Sequence, residues 1–287
     1  MISILCPTRK RPDQLRRMVD SVQQTITNPM GVEIVLYVDD DDIQTLNALD
    51  TDAGLILCGY VRGPRLREMT KYWNECFKKC SGDIVMQGND DVIFRTPGWD
   101  SMVEKAFAAC PDKILMVHGS DEGQHLSSFG PHPFVHRKWI ETLGWFIPPY
   151  FSSDWGDAWV NELADALGRR QYLPFIVEHL HFLFKKAVID ETTRERLERH
   201  KKDNPDKIYR EKLPERIAQI AKLKALMDPK WKPPANPVTP RKPGAVAKVG
   251  AIVDPQALKC RYCSSPAVVV RGPLNVCNQC GRYWKIA

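Results

Sequence analysis

Gly88-Asn89-Asp90-Asp91 sets an amide and two carboxylates directly after an apolar run, Ile84 to Met86. Carboxylates and amide oxygens are hard donors that suit Mg2+ or Mn2+. A second acidic run, Asp39-Asp40-Asp41-Asp42, closes the apolar segment 32–38. Asp154 and Asp157 follow an aromatic segment at 145–151. His179 and His181 are spaced so that one strand face can present both. Near the C-terminus, Cys260-x-x-Cys263 and Cys277-x-x-Cys280 stand 13 residues apart. Four thiolates at that spacing can close a tetrahedral Zn2+ site. Each motif also has a plainer reading. Gly-Asn-Asp is good turn chemistry, Asp154 or Ser153 could simply cap a helix, and a lone histidine is more often structural.

These residues need elements to hold them. The pattern predicts strands at 2–6, 32–38, 55–60, 84–86, 113–118 and 171–177. Leu15, Met18, Val19 and Val22 recur at helical spacing, which predicts a helix over 12–26. Further helices are expected at 65–80, 98–109, 137–143 and 158–167. Strands alternating with helices give βαβ units and a mainly parallel sheet, and such sheets bind ligands beyond their strand tips. The loop 119–135, rich in Gly, Ser, His and Pro, is long enough to expect a functional role. Neither G-x-G-x-x-G nor G-x-x-x-x-G-K-[ST] occurs, which argues against dinucleotide oxidoreductases and P-loop NTPases. Nucleotide phosphates, if bound, would be met by a metal on carboxylates.

The net charge of +6 hides an uneven distribution. Residues 1–184 carry 18 Lys/Arg against 25 Asp/Glu, residues 185–248 carry 18 against 9, and residues 249–287 carry 5 against 1. An acidic body with a strongly basic tail suggests a polyanionic partner, nucleic acid first. The segment 229–256 holds Pro229, Pro233, Pro234, Pro237, Pro240, Pro243 and Pro255, and reads as a basic, semi-rigid linker. Four parts follow: an α/β domain at 1–185, charged helices at 186–228, the linker at 229–256, and a small module at 257–287. The module cannot build an adequate core alone, so a metal would supply its folding energy. It resembles a zinc ribbon, and Arg261, Tyr262, Arg271, Arg282, Tyr283, Trp284 and Lys285 give it a basic and aromatic face. The remaining cysteines, Cys6, Cys58, Cys76, Cys80 and Cys110, look like thiols of a cytosolic chain. The start reads as a strand rather than a signal peptide, and no apolar run is long enough to span a bilayer. A cytoplasmic location is expected, the host cytoplasm if the chain is virus-encoded.

Residues 1 to about 185 resemble a family 2 glycosyltransferase of the GT-A fold, a Rossmann-like mainly parallel sheet flanked by helices. Pro7-Thr8-Arg9-Lys10-Arg11-Pro12 is similar to the family's opening motif after the first strand. Asp39 and Asp40 fall where the family holds the base and ribose of a sugar nucleotide. Asn74 matches an Asn of the helix before the metal motif, with Trp73 where an Arg is common. Asn89-Asp90-Asp91 falls at the metal-binding DxD position, with Asn89 replacing its first Asp and Asp91 left as the more secure ligand. Asp157 matches the general base, with Asp154 as its near competitor. His179 or His181 falls where the family has a histidine, sometimes a metal ligand. The resemblance implies a Mn2+- or Mg2+-dependent transfer from a nucleotide-sugar, UDP-sugar foremost, to a hydroxyl, with inversion. Asp91 with Asn89 or Asp90 would hold the ion, and Arg9, Arg11 and Arg65 would add contacts to phosphate oxygens.

The acceptor reading comes from the tail. A basic arm and a zinc ribbon would supply backbone affinity for DNA. The acceptor is therefore expected to be a hydroxymethylated pyrimidine in DNA, as in viral DNA hypermodification. The alternatives are a glycan, protein or small-molecule acceptor, or a non-catalytic nucleic-acid-binding protein on a degenerate transferase scaffold.

Overall fold

The computed structural model describes residues 1–55, 58–123 and 129–234, together with the segments 268–271, 274–277 and 283–285. The chain divides into two compact units, Met1–Pro240 and Arg241–Ala287.

In the larger unit, β1 (Ile2–Thr8) lies between β2 (Val32–Asp39) and β4 (Ile84–Gln87), parallel to both. A strand covered on both faces needs no polar side, which is why β1 and β4 read as nearly unbroken apolar runs. β3 (Gly59–Gly63) pairs parallel with β2 at the sheet's edge. The chain then adds β5 (Val92–Phe94), β6 (Met116–Ser120), β7 (Phe134–His136) and β8 (Arg170–His179). The strand order is β3-β2-β1-β4-β7-β6-β8-β5. β7 runs antiparallel to β4 and β6, β5 runs antiparallel to β8, and β6 and β8 are parallel.

This corrects the expectation of a mainly parallel sheet: one half is parallel and the other is mixed. β5 and β7 have three residues each, too short for a period of two to register in sequence. The third strand starts at Gly59 rather than near 55. β8 extends two residues past Val177 and so includes His179.

The helices follow their periodicities more closely. α1 (Pro12–Thr25) starts on a proline and buries Leu15, Met18, Val19 and Val22. α2 (Ile43–Thr51), absent from the sequence reading, is capped by Asp42, whose side chain accepts from Thr45 N. Then come α3 (Thr70–Phe77), α4 (Trp99–Ala109), α5 (Arg137–Leu143) and α6 (Gly156–Leu167). Neither Ser153 nor Asp154 caps α6. Its N-terminus is Trp155, held at φ 85° with its ring 4.4 Å from that of Tyr209.

The charged extension forms α7 (Glu191–Asp203), α8 (Pro205–Glu211) and α9 (Leu213–Lys224) and packs on the α/β body. Arg216 stacks over the Tyr209 and Trp159 rings, and Trp159 Nε1 donates to Gln219 Oε1 at 2.8 Å. No helix among the described residues is long and apolar enough to cross a membrane.

The smaller unit has a three-stranded antiparallel sheet: β9 (Val268–Arg271), β10 (Leu274–Cys277) and β11 (Tyr283–Lys285). Cys260, Cys263 and Cys280, like most of the linker, lie outside the described residues, and Cys277 ends β10.

Candidate active site

Gly88 lets the tip of β4 lie against β1. A Cβ there would stand 2.7 Å from Ile4 Cγ2 and 3.1 Å from Leu5 O. Trp73 Nε1 donates to Gly88 O at 2.9 Å and fixes the turn from below. The two carboxylates that follow point into different surroundings. Asp90 accepts from Thr8 Oγ1 at 2.9 Å and from Arg11 Nη1 at 3.1 Å. Burial and the neighbouring Asp91 charge push its carboxyl up to about 6, against the pull of Arg11. Asp91 faces the other way, with Oδ1 buried 3.3 Å from His179 Nε2. Burial opposes its ionisation, but the His179 and Arg11 charges hold it below the usual carboxylate range.

Strand register explains the Asp91–His179 pairing. β5 begins at Val92 and pairs Val92 with His179, while Leu180 N donates to Asp91 O at 2.8 Å. Asp121 O accepts from His179 N at 3.0 Å and fixes the other side.

The two expected histidines are separated by their hydrogen bonds. His181 Nδ1 accepts from Leu183 N at 3.3 Å, capping a short 3-10 turn. A backbone N–H and a guanidinium only donate, so both nitrogens of His181 face donors, Nδ1 the Leu183 N–H and Nε2 the Arg196 side chain at 3.4 Å. Burial pushes the His181 pKa down to about 4, which keeps that ring neutral. A cation at Nε2 would have to displace the Arg196 guanidinium. His179 has no such constraint, and Asp91 raises its pKa against the effect of burial.

Sequence reasoning missed a third histidine. His132 is 4 % exposed and its ring centroid lies 5.1 Å from that of His179. The only hint was its place in the long 119–135 loop.

Asp157 and Asp154, three residues apart in sequence, have opposite environments. Asp157 sits in the first turn of α6, and its Oδ1 accepts from Ala158 N at 2.8 Å. Burial pushes its carboxyl up to about 6. Asp154 is engaged by α7: Arg196 pairs with one oxygen and His200 Nδ1 lies 2.9 Å from the other.

The residues expected around a nucleotide are largely committed within the protein. Asp39 is buried and accepts from Tyr72 Oη at 3.0 Å and from Arg9 at 2.9 Å, whereas Asp40 is exposed. Arg9 also reaches Asp41. Arg11 makes a two-pronged pair with Asp190 at 2.7 Å, and Arg65 pairs with Glu195, both from the α7 region. Pro7 and Thr8 end β1 beside them. Asn74 departs from expectation. Its Oδ1 accepts from Phe146 N and Ile147 N, and its Nδ2 donates to Ile147 O at 2.7 Å, so its amide is spent on a backbone turn. Asn89 is half-buried at the strand tip.

Among solved structures, the chain aligns with GalNAc-T7 bound to UDP, GalNAc and Mn2+ at TM-score 0.51 and 14% identity, over 62% of this chain and 43% of that one. It aligns with S. aureus TarS 1-349 in complex with UDP at TM-score 0.50 and 14% identity, over 61% of this chain and 59% of that one. The fold is GT-A. By sequence, the chain is 26% identical over 181 residues to the O-antigen biosynthesis protein RfbC of Myxococcus xanthus, spanning 56% of this chain and only 13% of that protein. No family model matches. Within the GT-A fold, Asp39, the 88–91 turn and His179 all stand at strand ends, where open α/β sheets place ligands.

Among the described residues no three His, Cys, Asp or Glu side chains already converge as a coordination shell. The donor chemistry nonetheless fits a divalent ion. Asp91 offers a buried carboxylate oxygen with no hydrogen bond of good geometry, beside the His179 imidazole.

Proposed function

We propose that this chain is a metal-dependent, inverting glycosyltransferase that moves a sugar from a nucleotide-sugar to a hydroxyl acceptor. The observation that carries the reading is the half-buried Asp91–His179 pair at the strand tips of a GT-A fold. Asp91 and His179 would hold Mn2+ or Mg2+, with Asn89 at the rim. Bound there, the ion neutralises charge on the leaving diphosphate. Asp39, braced by Tyr72 and Arg9, would take the nucleoside. Arg9, Arg11 and Arg65 would reach phosphate oxygens once they exchange their present carboxylate partners. UDP is the natural donor nucleotide, since TarS and GalNAc-T7 are both solved with UDP.

Asp157 would be the general base. An acceptor hydroxyl is a weak nucleophile near neutral pH, and a carboxyl at about 6 is ionised there yet basic enough to take its proton. Asp154 suits that task less, because Arg196 and His200 already occupy its two oxygens.

For the acceptor, the excess of Lys/Arg in residues 185–287 favours DNA, at a hydroxymethylated pyrimidine. Cys260, Cys263, Cys277 and Cys280 would hold a structural Zn2+ there. Transfer of radiolabelled sugar from UDP-sugars to DNA, with and without 5-hydroxymethylpyrimidine, tests this. Label in the modified DNA alone is the expected result, and label in neither DNA overturns it. The similarity to RfbC favours a second reading, in which the acceptor is a glycan. That reading expects turnover on saccharide acceptors to survive deletion of residues 229–287.

A further inference from the structure

We propose that His132 is a ligand of the divalent ion held by Asp91 and His179, its ring fixed by the backbone carbonyl of Gln87. This inference rests on the reading of that site as a metal site.

Topology brings the residue there. β7 pairs antiparallel with β4, placing Met86 opposite Phe134, and Gln87 N donates to Pro133 O at 3.0 Å. The next residue back, His132, therefore arrives beside the Gly88–Asp91 turn. Nothing in the sequence pattern marks it, because β7 is only three residues long.

Hydrogen bonding then sets the ring's chemistry. His132 Nδ1 lies 3.3 Å from Gln87 O. A carbonyl can only accept, so Nδ1 carries the proton and Nε2 presents its lone pair. That Nε2 is buried and has no hydrogen-bond partner among the described residues. A buried polar atom without a partner calls for an explanation, and an unobserved ion is one of the standard ones. An imidazole that donates Nδ1–H to a backbone carbonyl and keeps Nε2 open has the arrangement typical of metal-ligating histidines.

The other buried histidine of the sheet provides the contrast. His118 Nδ1 pairs with Gly119 O at 3.0 Å and its Nε2 lies 3.4 Å from Arg170, so both nitrogens are engaged. His118 is a satisfied core histidine, whereas His132 is not. The ring of His132 also packs edge-on to His179, the side chain already paired with Asp91.

Two imidazoles with one carboxylate make a softer donor set than carboxylates alone. Imidazole suits transition ions, and Mg2+ prefers oxygen. The site should therefore take Mn2+ or Co2+ in preference to Mg2+, and removing His132 should narrow that preference.

The test uses the full-length chain and Mn2+ alone, with binding read by loss of the free-ion EPR signal. His132→Ala and His132→Gln should weaken Mn2+ binding about 10- to 100-fold, and Asp91→Asn should weaken it at least as much. Pulsed EPR of Mn2+ on the wild-type chain should count two directly coordinated imidazole nitrogens. One nitrogen, with Mn2+ affinity unchanged in both His132 variants, overturns the role of His132 and leaves the Asp91–His179 metal reading standing. Absence of Mn2+ binding by the wild-type chain overturns both. If the His132 variants fail to fold, the nitrogen count on the wild-type chain decides alone.

Discussion

The two halves of the large sheet divide the work differently. The parallel half, β3-β2-β1-β4, places Asp39, Arg9, Arg11 and Asp90 at neighbouring strand tips, where they neutralise one another. The mixed half, β7-β6-β8-β5, delivers His132, His179 and the strand that follows Asp91. Paired charges suit a site that must hold a polar nucleotide in a fixed pose. Buried donors with unmet demand suit a site that must attract a cation or a proton. Asp90 and Asp91, adjacent in sequence, fall on opposite sides of this divide.

If that division is right, substitutions around the mixed half should lower turnover, and those in the parallel half should mainly raise the donor KM. The largest effect is expected at Asp157. Asp157→Asn should reduce kcat about 10²- to 10⁴-fold, while Asp154→Asn should cost far less. Asp157 titrates at about 6, so wild-type turnover should rise with pH through about 6 and this limb should vanish in the variant. The raised value means the folded chain holds this proton more tightly than the unfolded chain does. The stability tied to Asp157 is therefore lost as pH rises from the ordinary carboxylate range through about 6. Asp157→Asn should accordingly melt above wild type at pH 7 and converge with it near pH 4, a comparison for calorimetry.

Next in size is Asp91→Asn, expected to lower kcat/KM about 10²- to 10³-fold at saturating Mn2+. Asp39→Asn, in the parallel half, should raise the donor KM and leave kcat nearly unchanged. A kcat loss there as large as at Asp91 would erase the division. His179→Ala should weaken Mn2+ binding about 10- to 100-fold, whereas His181→Gln should leave it close to wild type. The smallest effect is expected at Asp190, which caps α7 and pairs with Arg11. Asp190→Ala should cost about 1 kcal/mol of stability, measured by urea titration, and tighten UDP binding by releasing Arg11.

The same division explains what the sequence revealed. β2 and β4 are apolar runs closed by acids, so their tips, and with them Asp39, Asp90 and Asp91, were legible. Helices with clear periodicity, such as α1 and α4, were placed to within a residue or two. β5 and β7 carry no periodic signal, yet they set the neighbours of Asp91 and bring in His132. Roles that depend on the partners of each ring nitrogen were equally hidden. His179 and His181 look alike in sequence, and only the two donors facing His181, Leu183 N–H and Arg196, separate them. Asn74 fitted a motif, but the 146–147 turn consumes its amide, a contact 72 residues away in sequence. The docking of α7 could not be read either, because its charges look like a solvated face until Arg11, Arg65 and Asp154 are found opposite them.

Calorimetric titration of UDP into the full-length chain, with and without Mn2+, tests the central claim most directly. A sugar-nucleotide site organised on Asp91 and His179 predicts UDP binding that strengthens at least tenfold with Mn2+ and loses that dependence in Asp91→Asn. UDP binding that ignores Mn2+, or no UDP binding in either condition, would contradict it.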